Sequence, residues 1–220
     1  MIYGIVYCVT MIRITNTIEY DETRRIIKVR KEKLTMEDTI ALAFSRILEK
    51  ENVRYAIVAG YVSLLFGRSR RSDDVDFIIE NISLGKFASL CEKLFKAGFK
   101  FLHSNEKTLE TVRMAYHSLE KGDRIRFTFG EYPIPNVEMK FATTRLDKIS
   151  IEESMMIHVN EDVLRISPLE LQIAYKLYLG SEKDVEDARF LYKLFKNILD
   201  GEKLSKWCRL LDVNLKCLES

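Results

Sequence analysis

Apolar and polar positions along the chain fall into short strand-like and helix-like stretches. Tyr55-Ala56-Ile57-Val58-Ala59 is an apolar run of strand length, and Gly60 marks a turn after it. Val62, Leu64, Leu65 and Phe66 form a short helical patch that ends at Gly67. A basic connection, Arg68-Ser69-Arg70-Arg71-Ser72-Asp73, leads into Asp74-Val75-Asp76-Phe77-Ile78-Ile79. Acid and apolar residues alternate there, so a second strand is predicted with Val75, Phe77 and Ile79 toward the core.

The flanking pattern is less specific. Residues 12–30 read as an edge hairpin turning at Tyr20-Asp21-Glu22-Thr23, and 1–10 as a buried strand or a poorly ordered start. Thr35 caps a helix that carries Ile40, Leu42, Ala43, Ile47 and Leu48 on one face, and Ser83 caps another over 84–97. A short strand at 99–102, a helix at 108–119 and an alternating strand at 124–129 follow. Pro133-Ile134-Pro135-Asn136 reads as a turn before a strand at 137–141. Residues 144–154 read as a polar connection, and two short strands surround Asn160-Glu161-Asp162. Ser167-Pro168-Leu169-Glu170 predicts a capping serine with proline at the first helical position. Helices over 167–180, 181–195 and 201–218 complete the chain. The expected class is therefore α/β (α+β): a mixed sheet flanked by helices over residues 1–154, then a mostly helical part over 155–220.

Composition narrows the function classes. The chain has 220 residues, 31% charged and 47% hydrophobic, with a net charge of +2. Basicity does not announce nucleic acid, so any anion site must be local. The four cysteines have no CxxC spacing and the three histidines lie far apart, which gives no zinc pattern. Reduced thiols in a cytoplasmic protein are expected. No stretch has the length of a membrane span, and the start lacks the charged region of a signal peptide.

Asp74 and Asp76 carry the clearest chemistry. Side chains at i and i+2 of a strand share one face, about 6.5–7 Å apart along the chain. Two carboxylates at the start of a buried strand repel each other and lose hydration. Mg²⁺ relieves both costs, since it is typically held by one or two carboxylates together with substrate phosphates. Gly60 lets backbone N–H groups approach an anion closely, and a helix beginning there adds its positive end.

The stretch 55–80 resembles the signature of the polymerase-beta nucleotidyltransferase superfamily: strand, small-residue turn, short helix, then basic-Ser-x-Asp-apolar-Asp, here Arg71-Ser72-Asp73-Asp74-Val75-Asp76. The family usually carries two small residues at the turn, and one of that pair departs here, whether read as Ala59-Gly60 or Gly60-Tyr61. The resemblance implies a nucleotidyltransferase core and an enzyme that uses Mg²⁺ to move a nucleoside monophosphate from an NTP, with Asp74 and Asp76 as metal ligands. It also implies a third carboxylate on a later neighbouring strand. Glu138 matches best in position, as catalytic residue and metal ligand, with Glu131 and Asp123 in turns as weaker choices. Gly60 and Ser63 would approach the phosphates, and Arg68 and Arg71 would neutralise them.

The tail is similar to the AbiEii-like group, which is related to abortive-infection toxins: Ser-Pro-x-x-Leu, a helical lysine, then Lys183-Asp184-x-x-Asp187. That similarity implies nucleotide contacts from Lys176 or Lys183, with Asp184 and Asp187 supporting the site. An RNA, protein or small-molecule acceptor stays open. So do a catalytically inactive nucleotide- or RNA-binding module of the same fold and an RNA-modifying toxin held silent by an antitoxin partner.

Overall fold

The computed structural model describes residues 7–9, 16–21, 26–104 and 106–218. The first part is a meander of β1 (Tyr7–Val9), β2 (Asn16–Asp21) and β3 (Ile26–Lys31), paired antiparallel in sequence order. Most of the start expected at 1–10 lies outside the described residues, as do Ile12, Ile14 and the Glu22-Thr23 half of the expected turn. Helix α1 (Met36–Lys50) opens with a capping box, in which Thr35 Oγ1 accepts from the Asp38 N–H and the Asp38 carboxylate accepts from the Thr35 N–H. The same buried carboxylate also accepts from Lys31 Nζ at 2.7 Å and Tyr61 Oη at 2.9 Å, which ties α1 to the sheet and to the short helix that starts at Gly60.

That next segment holds β4 (Tyr55–Val58), α2 (Gly60–Leu65) and β5 (Asp74–Ile79). Beyond it lie α3 (Leu84–Lys96), β6 (Phe99–Phe101), α4 (Leu109–Glu120), β7 (Ile125–Phe129), β8 (Tyr132–Phe141) and α5 (Arg145–Glu152). The chain then makes the hairpin β9 (Met155–Val159) and β10 (Asp162–Ile166), followed by α6 (Leu169–Leu179), α7 (Glu182–Phe195), α8 (Gly201–Leu210) and a 3-10 turn, Leu215–Leu218. The strands form one ten-stranded mixed sheet in the order β1-β2-β3-β9-β10-β4-β5-β8-β7-β6. Parallel pairs join β3 to β9, β10 to β4 and β5 to β8, and the remaining pairs are antiparallel. The hairpin β9–β10 therefore lies inside the sheet, and the helical part begins at Leu169.

One face of β5 carries Val75, Phe77 and Ile79 against the main core. Phe44 of α1 meets Phe77, Phe99 and Phe127 there, with ring centroids 4.9, 5.2 and 5.6 Å away. Each buried ring of this kind contributes about 1.5–3 kcal/mol. The opposite face has only a small apolar cluster, in which Ile78 packs with Ala56, Ala142 and Ile151 of α5. Asp74 and Asp76 precede Ile78 on that face, so the apolar alternation of β5 stops where the polar site starts.

Three local expectations are corrected. Residues 144–154 contain a helix, because Thr144 and Asp147 form a capping box that starts α5 despite its few apolar positions. Ser167 does not cap α6: Pro168 holds the cap position, and Ser167 Oγ lies 3.2 Å from Ser150 Oγ. Pro133 to Asn136 belongs to β8, and the turn falls at Gly130-Glu131. Both prolines precede Asn136, where pairing with β5 begins, so their missing N–H groups break no bond in that ladder.

Candidate active site

The strand register brings the acids together. Asp76 is paired with Glu138 across the parallel β5–β8 ladder, and Glu138 with Arg126 across β8–β7. The three side chains sit side by side on one face, with Asp74 two residues back along β5. Oxygen atoms of Asp74, Asp76 and Glu138 lie within 4.8 Å of one another, a spacing that one divalent ion can bridge.

The electrostatics of this cluster are uneven. Burial pushes the Asp76 pKa up to about 7, and the charges of Asp74 and Glu138 add to the shift. Burial and Glu138 also raise Asp74. Glu138 is more enclosed to solvent, yet its pKa is lowered: burial acts against ionisation and is outweighed by hydrogen bonds from Arg126 and Arg124. Arg126 Nε and Nη2 donate to Oε2 at 2.9 and 2.7 Å, and Arg124 Nη1 donates to Oε1 at 2.5 Å. The cluster thus holds one carboxylate fixed as an anion and two that resist ionisation together.

The turn before α2 is unusual at Ala59, where φ is 60° and ψ −135°. A left-handed φ at a residue with a Cβ costs on the order of 1–3 kcal/mol and persists only where surroundings enforce it. Gln172 of α6 does so, with Nε2 donating to the Ala59 carbonyl at 2.9 Å. Gly60 is required for a different reason. A Cβ there would stand 2.7 Å from Arg70 Nη2 and 3.0 Å from Ser72 Oγ. Arg70 cannot simply withdraw, because Nε and Nη2 both donate to Asp187, at 3.0 and 2.7 Å. Gly60→Ala is therefore expected to destabilise the protein by about 1–3 kcal/mol, read as a lower urea midpoint with an unchanged slope.

Asp187 of α7, 0% exposed, gathers three cations. Besides Arg70 it pairs with Lys176 Nζ at 2.7 Å and Arg68 Nε at 2.7 Å, the last placed off the line of a hydrogen bond. Its pKa is lowered, because Arg70 and Lys176 outweigh the effect of burial. Arg68 also donates to Glu186 at 2.5 Å, and Asp184 accepts from the Ser181 hydroxyl while lying 3.5 Å from Lys176 Nζ. The basic loop between α2 and β5 is thus clamped onto α7.

The expected site residues fall into separate settings. Asp74, Asp76 and Glu138 form the cluster. Gly60 lies against Arg70 and Ser72. Ser63 is fully buried in α2, and its Oγ has no hydrogen-bond partner among the described residues. Arg68, Lys176 and Asp184 are engaged in the α7 clamp. Arg71 is exposed, with its carbonyl accepting from Arg70. Lys183 is exposed, and its charge acts to lower the pKa of Asp74. Sequence reasoning passed over Arg70, Arg124, Arg126 and Gln172. The alternation of Arg124 and Arg126 against Ile125 and Phe127 was the one available signal, and it places both arginines on one strand face.

Beside the carboxylates a cleft of about 530 Å³ opens, walled by Ala59, Asp76, Arg124, Gln172, Tyr175 and Lys176 among others. No helix among the described residues is long and apolar enough to cross a membrane.

No protein-family model and no curated protein matches the chain. Among solved structures it is similar to an antigenic nucleotidyltransferase-like protein from Paracoccidioides brasiliensis, with 16% identity, 79% of this chain and 85% of that one covered, and a TM-score of 0.51. It is also similar to ANT(2")-Ia in complex with adenylyl-2"-tobramycin, with 16% identity, coverage of 81% and 98%, and a TM-score of 0.48. The first likeness places the chain in the nucleotidyltransferase fold.

Proposed function

We propose that the protein is a metal-dependent nucleotidyltransferase that moves a nucleoside monophosphate from an NTP to an acceptor hydroxyl. The observation that carries this reading is the convergence of Asp74, Asp76 and Glu138 within 4.8 Å, beside the turn that opens α2. Their chemistry fits Mg²⁺: an all-oxygen donor set in which mutual repulsion and burial raise two of the three acids. Asp74 and Asp76 would hold the ion, which when bound would neutralise the triphosphate and polarise its α-phosphate. Glu138, kept ionised by Arg124 and Arg126, contributes fixed charge and is a weak base. Ser72 stands at the Gly60 turn, where its hydroxyl can meet phosphate oxygens, while Arg70 and Arg68 hold that loop on α7; the exposed Arg71 of the loop and Lys183 of α7, whose charge reaches Asp74, are the cations left for the phosphates. Catalysis of this kind rests on positioning and preorganised charge.

The finer kinship with the AbiEii-like group is supported by the α6–α7 clamp. Lys176 reaches Asp184 and Asp187 there, the residues that the tail similarity singles out. In this reading Lys176 fixes α7 from beneath, and Lys183 remains for the nucleotide.

Incubation with each α-labelled NTP, Mg²⁺ and a total cell extract tests the proposal. Label should enter one fraction and should stop entering it when the metal is chelated. Equal labelling with chelator present would contradict the assignment. One observation favours a second reading, a nucleotide-binding module without catalysis: both Glu138 oxygens already accept from arginine. Mg²⁺-dependent NTP binding with no labelled fraction would select it.

A further inference from the structure

Both oxygens of Glu138 accept from arginine, but the two arginines hold it in different ways. Arg126 lies within β7, opposite Glu138 in the ladder, and grips Oε2 with Nε and Nη2 at 2.9 and 2.7 Å. Arg124 lies one residue before β7 begins, and it reaches Oε1 through Nη1 alone, at 2.5 Å. Its Nε and Nη2 have no hydrogen-bond partner among the described residues. A guanidinium presents a fixed fork of N–H donors, so most of this one is unspent. Its side chain is 57% exposed, against 44% for Arg126.

The two also have different surroundings. Arg124 lines the cleft beside Asp76 and Tyr175, and Arg126 does not. The other cations of that wall are committed. Lys140 pairs with Asp147 and Lys176 with Asp187, both at 2.7 Å, and the two lysine side chains are 22% and 2% exposed. Arg124 is thus the cleft cation with donors to spare and room to turn.

Charge decides what its bond to Glu138 does. Asp74, Asp76 and Glu138 carry three negative charges when ionised, and Arg124 and Arg126 already set two positive ones against them. A divalent ion would bring the positive count to four. An ion and a guanidinium on one carboxylate repel each other, by about tenfold in affinity even at the dielectric of water. Arg124 therefore opposes the ion for as long as it stays on Glu138. A triphosphate is a polyanion whose oxygens suit a guanidinium fork, and it gives Arg124 another partner. Arg126 has no such exit, since two bonds hold it from within the strand.

We infer that Arg124 is an exchangeable latch on the metal site, which closes Glu138 against a bare divalent ion and moves to the triphosphate when ion and nucleotide arrive together. The inference rests on the transferase reading and adds a rule for loading. Metal and nucleotide bind with positive coupling, and Arg124 carries a share of it. The arginine grip on Glu138 is then one arm of an exchange and not a sign of lost catalysis.

The test uses the full chain and reads binding alone. Mn²⁺ is titrated without nucleotide, with the free ion followed by its EPR signal. A fluorescent α,β-methylene NTP, which cannot be turned over, is titrated by anisotropy with EDTA and with saturating Mg²⁺. The ratio of the two NTP affinities is the coupling. Complexation of Mg²⁺ by free NTP is the same for every variant and cancels in the comparison. Arg124→Gln should bind Mn²⁺ about tenfold more tightly than wild type, and its coupling should be lower by about fivefold or more. Arg126→Gln should also tighten Mn²⁺ binding, since it too removes a charge, but its coupling should stay within about twofold of wild type. Removing an arginine with a merely structural role would weaken metal binding, so a gain separates the two roles.

Mn²⁺ affinity in Arg124→Gln within about twofold of wild type, or below it, would overturn the latch. So would tighter Mn²⁺ with unchanged coupling, or an equal loss of coupling in Arg126→Gln, which would put the effect in plain charge. If the wild type binds Mn²⁺ and Mg²⁺–NTP and Arg124→Gln behaves identically, the latch is gone and the transferase reading stands. Wild-type protein that binds neither overturns both.

Discussion

Asp76→Asn is expected to be inactive with metal and more stable than the wild type without it. The wild-type carboxyl has a pKa of about 7 in the folded protein, against about 3.9 in an unfolded chain. Between those values the native state holds the extra proton, so metal-free stability falls as pH rises through about 7. The asparagine removes a buried anion that has no cation of its own. At pH 8 the gain is on the order of 2–4 kcal/mol, and each kcal/mol raises the melting temperature by about 2–4 °C in a chain of this size. The advantage should shrink on acidification and vanish below about pH 4, where both states are protonated. Saturating Mg²⁺ should raise the wild-type melting temperature and leave that of the variant unchanged. Several kcal/mol of charge stabilisation is at stake in the reaction, so labelled-NTP transfer should fall about 10³-fold or more. A variant that melts at the wild-type temperature across pH 5–8, or that still transfers label, would contradict the role given to this residue.

Asp187→Ala should have the opposite effect on the fold. It removes the carboxylate on which Lys176, Arg68 and Arg70 converge. The two arginine side chains are 18% exposed and can turn toward water, whereas Lys176 is 2% exposed and cannot. Breaking this pair leaves a buried ammonium with only the more distant Asp184 carboxylate at 3.5 Å; removing one partner of a buried pair costs up to about 3–5 kcal/mol, read as a loss toward that size in urea unfolding. A second substitution separates charge from packing. Lys176→Met added to Asp187→Ala removes the stranded charge and should recover most of the loss. If the double variant is as unstable as the single one, the deficit lies in the cavity and not in the charge.

The contrast between these two acids shows what a sequence can disclose. Asp74 and Asp76 are legible because alternation along a strand is a local rule. Two carboxylates at i and i+2 must share a face wherever the strand goes. Glu138 was legible as a strand acid, but its place opposite Asp76 depends on the register between β5 and β8, which no spacing encodes. Asp187 meets Arg70 across 117 positions of chain. An acid in the second turn of a helix looks the same in sequence whether it faces solvent or anchors three cations. The mixed sheet was visible in outline from its alternating segments. The position of β9 and β10 within it was not, because a short apolar strand does not announce its neighbours. Helix α5 was hidden for a related reason: its start is written in Thr144 and Asp147, and the apolar signal that follows is thin.

The placement of that hairpin has a consequence for synthesis. Strand β3 bonds on its inner edge only to β9, so Ile27 and Val29 wait for Ile157 and Val159. At ordinary translation rates the delay is on the order of ten seconds. Over that interval an apolar meander stands at the ribosome with an open edge, the kind of surface that invites pairing with another nascent chain. A helper that shields unpaired strands, or synthesis that runs without pause from residue 31 through residue 159, shortens that exposure and is expected to raise the yield of folded protein.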